Sequence, residues 1–206
     1  MMIKDFGGQI ASVWEGLRPM TRNMLVGALQ TSNSTSSPHT KTPKFSYDAH
    51  ADWELSRLLS ALDERTRSSE AKNDSETLDE MNKLADTCAR VVEAQSGSAE
   101  VFIQLAERAL RRHDYKKLDG LADRLAEKFS AGEIAEIIRQ TESPQIRAIA
   151  YETLATLSVN SVAPLLHDPL YADIAAAALE QKAFEYDSDE AKDVLDQFDA
   201  ESFRNS

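Results

Sequence analysis

The 206-residue chain carries 23 Lys and Arg against 35 Asp and Glu, a formal charge of −12 that disfavours broad electrostatic binding to nucleic acid. Apolar residues make up 42% and charged residues 28%, ordinary for a globular chain, and seven glycines, six prolines and a scarcity of β-branched runs point to an all-helical fold. The lone Cys88 excludes an intramolecular disulfide, and no run approaches the ~20 continuous apolar residues that span a bilayer.

Residues 1–30 read as a distinct amphipathic arm. Ile3, Phe6, Ile10, Val13, Leu17, Met20 and Met24 recur at spacings of three and four, a helical seam flanked by Trp14. Gly7 and Gly8 weaken this helix, and Pro19 should end or kink it near Leu17 and Arg18, with a second short helix from Pro19 to Leu29. Residues 31–44, TSNSTSSPHTKTPK, have no apolar period and read as a flexible Ser/Thr/Pro linker. Residues 1–47 hold five cations against two carboxylates, a net of +3 that leaves −15 for the remainder. Ile3, Phe6, Ile10, Val13, Trp14 and Leu17 are therefore candidate partner-binding residues. The seam suits docking into a groove of another protein or of the chain's own acidic body, insertion into an anionic membrane surface with Trp14 near the headgroups, or addition of one more helix to the fold.

Residues 45–200 form the body. Apolar spacing predicts a helix over about 48–67, with Ala51, Leu55, Leu58, Leu59 and Leu62 on one face, then a polar loop at 68–74. A second helix over about 76–95 turns Leu78, Met81, Leu84, Ala85, Cys88, Val91 and Val92 to the core, so Cys88 reads as a buried thiol. Ser96-Gly97-Ser98 is a stop, with Gly97 suited to a left-handed cap. Two helices follow, one with Phe102, Leu105 and Ala106 and one with Leu118, Leu121 and Leu125, turning at His113-Asp114. Around this turn Arg108, Arg111, Arg112, Lys116 and Lys117, with His113, form the body's basic cluster. It reads as an anion-binding candidate or as a solvated turn whose cations suit a helix C-terminus. Ser130 and Glu133 make a capping box for a helix carrying Ile134, Ile137 and Ile138. Ser143-Pro144 and Asp168-Pro169 each place a capping residue before a proline at the first helical position of an Ala-rich helix. A short helix near Val162–His167 lies between them, a last helix runs from about Asp189 to Asp199, and 201–206 is a tail.

Residues 160–179 resemble a HEAT-like repeat. Val162-Ala163-Pro164-Leu165-Leu166 ends a short helix, Asp168-Pro169 makes the turn, and Ala175, Ala178 and Leu179 supply the small residues and terminal Leu of the next helix. The preceding unit, Ile134–Leu157, repeats the scheme with Ile137-Ile138, Ser143-Pro144, Ile146, Ala150 and Leu154, and the resemblance runs in part over residues 134–199. The two capped prolines are 25 residues apart, closer than the ~30–47 usual in such repeats. Residues 100–129 look like a tetratricopeptide-type hairpin, with Ala109 and Asp114-Tyr115 in place but Leu118 where a small residue is expected. The resemblance implies an all-α protein of antiparallel helix pairs, an irregular α-solenoid or α–α superhelix with a HEAT-like C-terminal half. It also implies a surface that binds another protein.

Nothing in the sequence carries a catalytic pattern. Nucleophile elbow, phosphate loop, paired cysteines and His-Glu-x-x-His are all missing, and Asp48, His50 and Asp52 alternate without a second cluster of metal ligands. The acidic run from Glu185 to Glu201 has Lys192 where a calcium loop needs glycine. The expectation is a non-catalytic adaptor or scaffold with a protein partner, no metal or cofactor and a cytoplasmic address. The alternative is a peripheral membrane protein anchored by residues 1–30.

Overall fold

A computed structural model of the protein describes residues 3–33, 47–68 and 75–205, and among them all regular structure is helical. The chain divides into two compact units, residues 1–96 and 97–206. The first holds a 3-10 segment at Ile3–Phe6 and four helices, α1 (Gly8–Gly16), α2 (Pro19–Asn33), α3 (Ala49–Arg67) and α4 (Ser75–Gln95).

Helices α3 and α4 pair antiparallel, because the Cys88 thiol donates to the Leu55 carbonyl at 3.3 Å and the Ser96 hydroxyl to Asp52 at 2.9 Å. All five apolar residues expected on the inner face of α3 are buried, as are Met81, Leu84, Ala85, Cys88 and Val92 of α4, while Leu78 and Val91 are half-buried. Burial on α3 extends beyond that stripe to Glu54 and Ala61, an arc wider than one partner helix covers. Helix α1 packs on α3, α2 on both α3 and α4, and the 3-10 segment on α4. Residues 3–33 thus belong to the same compact unit as α3 and α4, whereas the sequence suggests an arm apart from the body. The uncovered side of α3 is the physical reason. Residues 31–33 of the expected linker close α2; the rest of it, and residues 69–74 of the expected loop, lie outside the described residues.

The second unit contains α5 (Ala99–Arg111), α6 (Tyr115–Lys128), α7 (Ala131–Gln140) and α8 (Pro144–Thr156). They are followed by α9 (Val159–Val162) running into a 3-10 segment (Ala163–His167), then α10 (Ala172–Glu185) and α11 (Asp189–Asn205). Helix α5 packs with α6 and α7 with α8; α5 also meets α7, and α6 meets α8. Helix α10 lies against α8, backed by the 3-10 segment and covered by α11. The core is built from Leu121, Leu125, Ile134, Ile137, Ile146 and Leu154, with Ala106, Ala150, Ala175 and Ala178 letting helix backbones approach closely.

Capping follows the sequence closely. Ser130 accepts from the Glu133 N–H and Glu133 answers to the Ser130 N–H at 2.7 Å, completing the box. Ser98, Asp114 and Ser143 cap α5, α6 and α8. Two local expectations are corrected. Gly97 is not left-handed; that conformation falls at His113 (φ 55°), Asp187 (φ 50°) and Gly7 (φ 106°), and Ser98 opens α5 directly. Asp168-Pro169 does not open a helix. The Asp168 carboxylate accepts from the Leu170 N–H at 2.9 Å and its carbonyl from the Tyr171 and Ala172 N–H groups, so the proline sits inside a turn and α10 begins at Ala172.

Candidate functional site

The arm residues singled out by their periodicity are brought together, but facing inward. Phe6, Ile10 and Leu17 are buried, and Ile3, Val13 and Trp14 are half-buried. Val13 also lines a shallow groove of about 260 Å³ between α1 and α3, with Gln9, Ser12, Arg57, Ser60, Ala61 and Glu64. Gln9 donates to Glu64 across it at 3.4 Å. Arg57 lies over the exposed Trp53 ring, 5.4 Å from its centroid.

The densest polar arrangement sits where Leu17, Arg18 and Pro19 break the arm into α1 and α2. Helix α1 ends at Gly16, Pro19 stands at the first position of α2, and Arg18, which precedes it, is not one of the residue types that cap a helix start. Glu54 of α3, 1% exposed, fills that role from another helix. One of its carboxylate oxygens accepts the Arg18 backbone N–H at 2.6 Å; the other accepts the Arg18 Nε–H at 3.1 Å and the Thr21 hydroxyl. The two remaining Arg18 nitrogens form a fork on Asp48 at 3.0 and 2.6 Å. Asp48 in turn caps α3 through the Ala51 N–H at 2.8 Å. Burial alone would push the Glu54 carboxyl up, but the Thr21 hydroxyl, the Arg18 N–H and the guanidinium outweigh it and hold it below its usual value. The Arg18 guanidinium, and then the Ala51 N–H, hold Asp48 well below the carboxylate range, and Asp48 and Glu54 raise Arg18. Both oxygens of each carboxylate are engaged, so the arrangement works as a fastener between the arm and α3. The sequence hint was Glu54 itself, a carboxylate inside the apolar row Ala51, Leu55, Leu58.

The structure spreads the basic cluster around the α5–α6 turn. Arg108 is buried, Arg111 and Arg112 close α5, and Lys116 and Lys117 stand in the first turn of α6 beyond the left-handed His113. Arg111 pairs with Glu107 one turn back at 3.2 Å. Arg108 therefore does not share the exposed surface of the other cations.

A second knot, which the sequence reading does not include, gathers on Glu136 of α7. Its carboxylate accepts from Arg139 at 2.5 and 2.6 Å, from Gln140 at 2.5 Å and from the Tyr171 hydroxyl at 2.9 Å, tying α7 to the turn before α10. Arg139, Gln140 and Tyr171 together lower the Glu136 carboxyl to about 2. In the first unit, Tyr47 and Ser96 both donate to Asp52, and burial followed by that carboxylate raises the Tyr47 phenol. Cys88 is fully buried.

Among the described residues no group of three or more His, Cys, Asp and Glu side chains has a metal-holding arrangement. No protein-family profile, no curated protein and no solved structure matches the chain.

Proposed function

We propose that the chain is a non-catalytic protein-interaction module, an adaptor or scaffold, whose second unit is an irregular HEAT-like stack of helix pairs. One observation carries the reading: in residues 97–206 each helix pair packs on the pair that follows it in the chain, α5–α6 on α7–α8 and α8 on α10. Stacks of this kind bury each repeat on its neighbours and leave an outer helical surface for binding. The carboxylates of the polar knots support it, because Glu54, Asp48 and Glu136 are engaged by hydrogen-bond donors within their own units.

The membrane alternative asks Phe6, Ile10 and Leu17, all buried, to leave the core of their unit, and nothing in the geometry favours it. No described helix is long and apolar enough to cross a membrane. The test is affinity capture of the intact chain with cross-linking and quantitative mass spectrometry. A reproducible protein partner cross-linked to helices α5 to α10 is the expected result; capture with no enriched partner overturns the reading.

A further inference from the structure

We propose that the face shared by α8 and α10 is the docking surface for a cationic amphipathic helix of a partner protein. This rests on the interaction-module reading and adds to it the surface and the chemistry of the partner. Helix geometry turns Ala175, Ala178, Leu179 and Ala183 of α10 inward, and all four are buried. Ala177, Glu180 and Phe184 therefore point outward, and all three are exposed. Phe184 is 82% exposed, more than any other large apolar side chain among the described residues. Tyr186, 44% exposed, follows it and reaches back to Glu152 of α8. Large aromatic rings left in water are the usual anchors of protein interfaces.

Charge selects the occupant. The Gln181 side-chain nitrogen donates both to Glu152 of α8 and to Glu185, each at 3.0 Å, so two carboxylate oxygens are held no more than 6.0 Å apart. Glu180 is exposed one turn before Phe184 on the same helix. The neighbouring cation, Lys182, turns its amine to the Ala155 carbonyl at 3.0 Å and lies over the Tyr186 ring. Like charges held this close repel each other, and a cation from a partner relieves them. The whole unit, 97–206, has 12 Lys and Arg against 21 Asp and Glu, a net of −9. An anionic membrane, a nucleic acid and a second copy of this acidic unit are all repelled by such a collar. Ala148 and Ala177, both exposed, stand one turn before Glu152 and Gln181 and add small side chains to the outer surface of α8 and α10. An apolar knob, small neighbours and an acidic rim together fit a helix with apolar residues on one face and Lys or Arg beside it.

The experiment uses the full chain and a fluorescent 18-residue helical peptide of leucines at i, i+3, i+4 and i+7 with lysines elsewhere, read by anisotropy. A leucine–glutamate helix of the same pattern is the comparison. The leucine–lysine helix should bind and the leucine–glutamate helix should not. Phe184→Ser and the double change Glu152→Gln with Glu185→Gln should each weaken binding by about tenfold, as interface anchors do. Leu170→Ser, at an exposed apolar position outside this face, should leave it unchanged, and melting of all variants should match the parent. Binding that is indifferent to Phe184→Ser, equal affinity for both peptides, or no binding at all overturns the proposal. So does a dimer in sedimentation that Phe184→Ser disperses, since a second copy would then cover the face. A captured partner that persists with Phe184→Ser removes this surface while leaving the module reading intact; capture of none removes the module reading itself.

Discussion

The two units are held together in different ways. In residues 1–96 a buried carboxylate joins segments 33 to 36 residues apart, with the chain's bend at Arg18 and Pro19 depending on Glu54 from another helix. In residues 97–206 helix pairs stack on the pairs that follow them through aliphatic and alanine faces, and the polar links between segments, Tyr171 to Glu136 and Gln181 and Tyr186 to Glu152, involve carboxylates that are not fully buried. A buried carboxylate that answers several donors at once makes the first unit sensitive to the loss of that one group and of the segment that brings its donors, whereas apolar stacking spreads the second unit's stability over many contacts.

The largest break follows from deleting residues 1–33. Phe6, Ile10, Leu17 and Leu25 are each at most 3% exposed. At ~1.5–3 kcal/mol per fully buried side chain their sum is comparable to the whole stability of a domain, ~5–15 kcal/mol. What remains is a two-helix pair with one side of α3 bare. Hydrogen exchange should show α3 and α4 losing protection while helices α7 and α8 keep theirs. Retained protection of α3 would mean that the arm is an accessory after all.

A matching disruption of the second unit needs only one residue. Ala178 is 1% exposed on the packed side of α10. Ala178→Glu places an uncompensated charge there, and a loss of about 3–5 kcal/mol is expected in denaturant unfolding. An unmoved midpoint would show that this alanine face is not a packing seam.

Glu54→Ala tests the fastener itself. It removes the acceptor of the Arg18 N–H, the Arg18 side chain and the Thr21 hydroxyl together, and the expected cost is about 2–4 kcal/mol. Glu54→Gln keeps a carbonyl oxygen and should lose distinctly less, with exchange at residues 18–21 rising in both. Equal losses would place the effect in the charge alone rather than in the satisfied donors.

The sequence made the apolar faces legible and left the polar closures obscure, for a physical reason. The stripes of α3, α4, α7 and α8 follow from the 3.6-residue period, and the Ser130–Glu133 box is written in four adjacent residues. The seam of residues 3–17 was equally visible, but amphipathicity says only that a face must be covered, not by what. Its cover turned on Glu54, whose hydrogen-bond donors Arg18 and Thr21 are more than thirty residues away in sequence. Asp168-Pro169 misled for a related reason: the same dipeptide suits a helix start and an Asx turn, and the choice depends on where α10 must meet α8. Phe184, the most exposed ring, falls on the outer side of an alanine-rich helix, a position that can be assigned only after the inner side is known.

The smallest effect sharpens the comparison through pH. Glu136 is partly exposed and its carboxyl falls from 4.5 to about 2, held first by Arg139 and then by Gln140 and Tyr171. A carboxyl whose folded value is depressed contributes its full stability above the unfolded value and loses it as pH falls through the folded one. The contribution is therefore complete above pH 4.5 and disappears on the way down to about 2. Glu136→Gln should flatten this part of the acid limb of the melting temperature while changing neutral stability less than Glu54→Ala does. The same change removes the carboxylate that raises the Tyr171 phenol, so Tyr171 should titrate lower by ultraviolet absorbance. A flattened acid limb with an unmoved tyrosine titration would confine the interaction to Arg139 and Gln140 within α7, making the tie to the turn before α10 incidental. Movement of both would make it a polar tie between α7 and the turn before α10, beside the one that Glu152 of α8 makes with Gln181 and Tyr186.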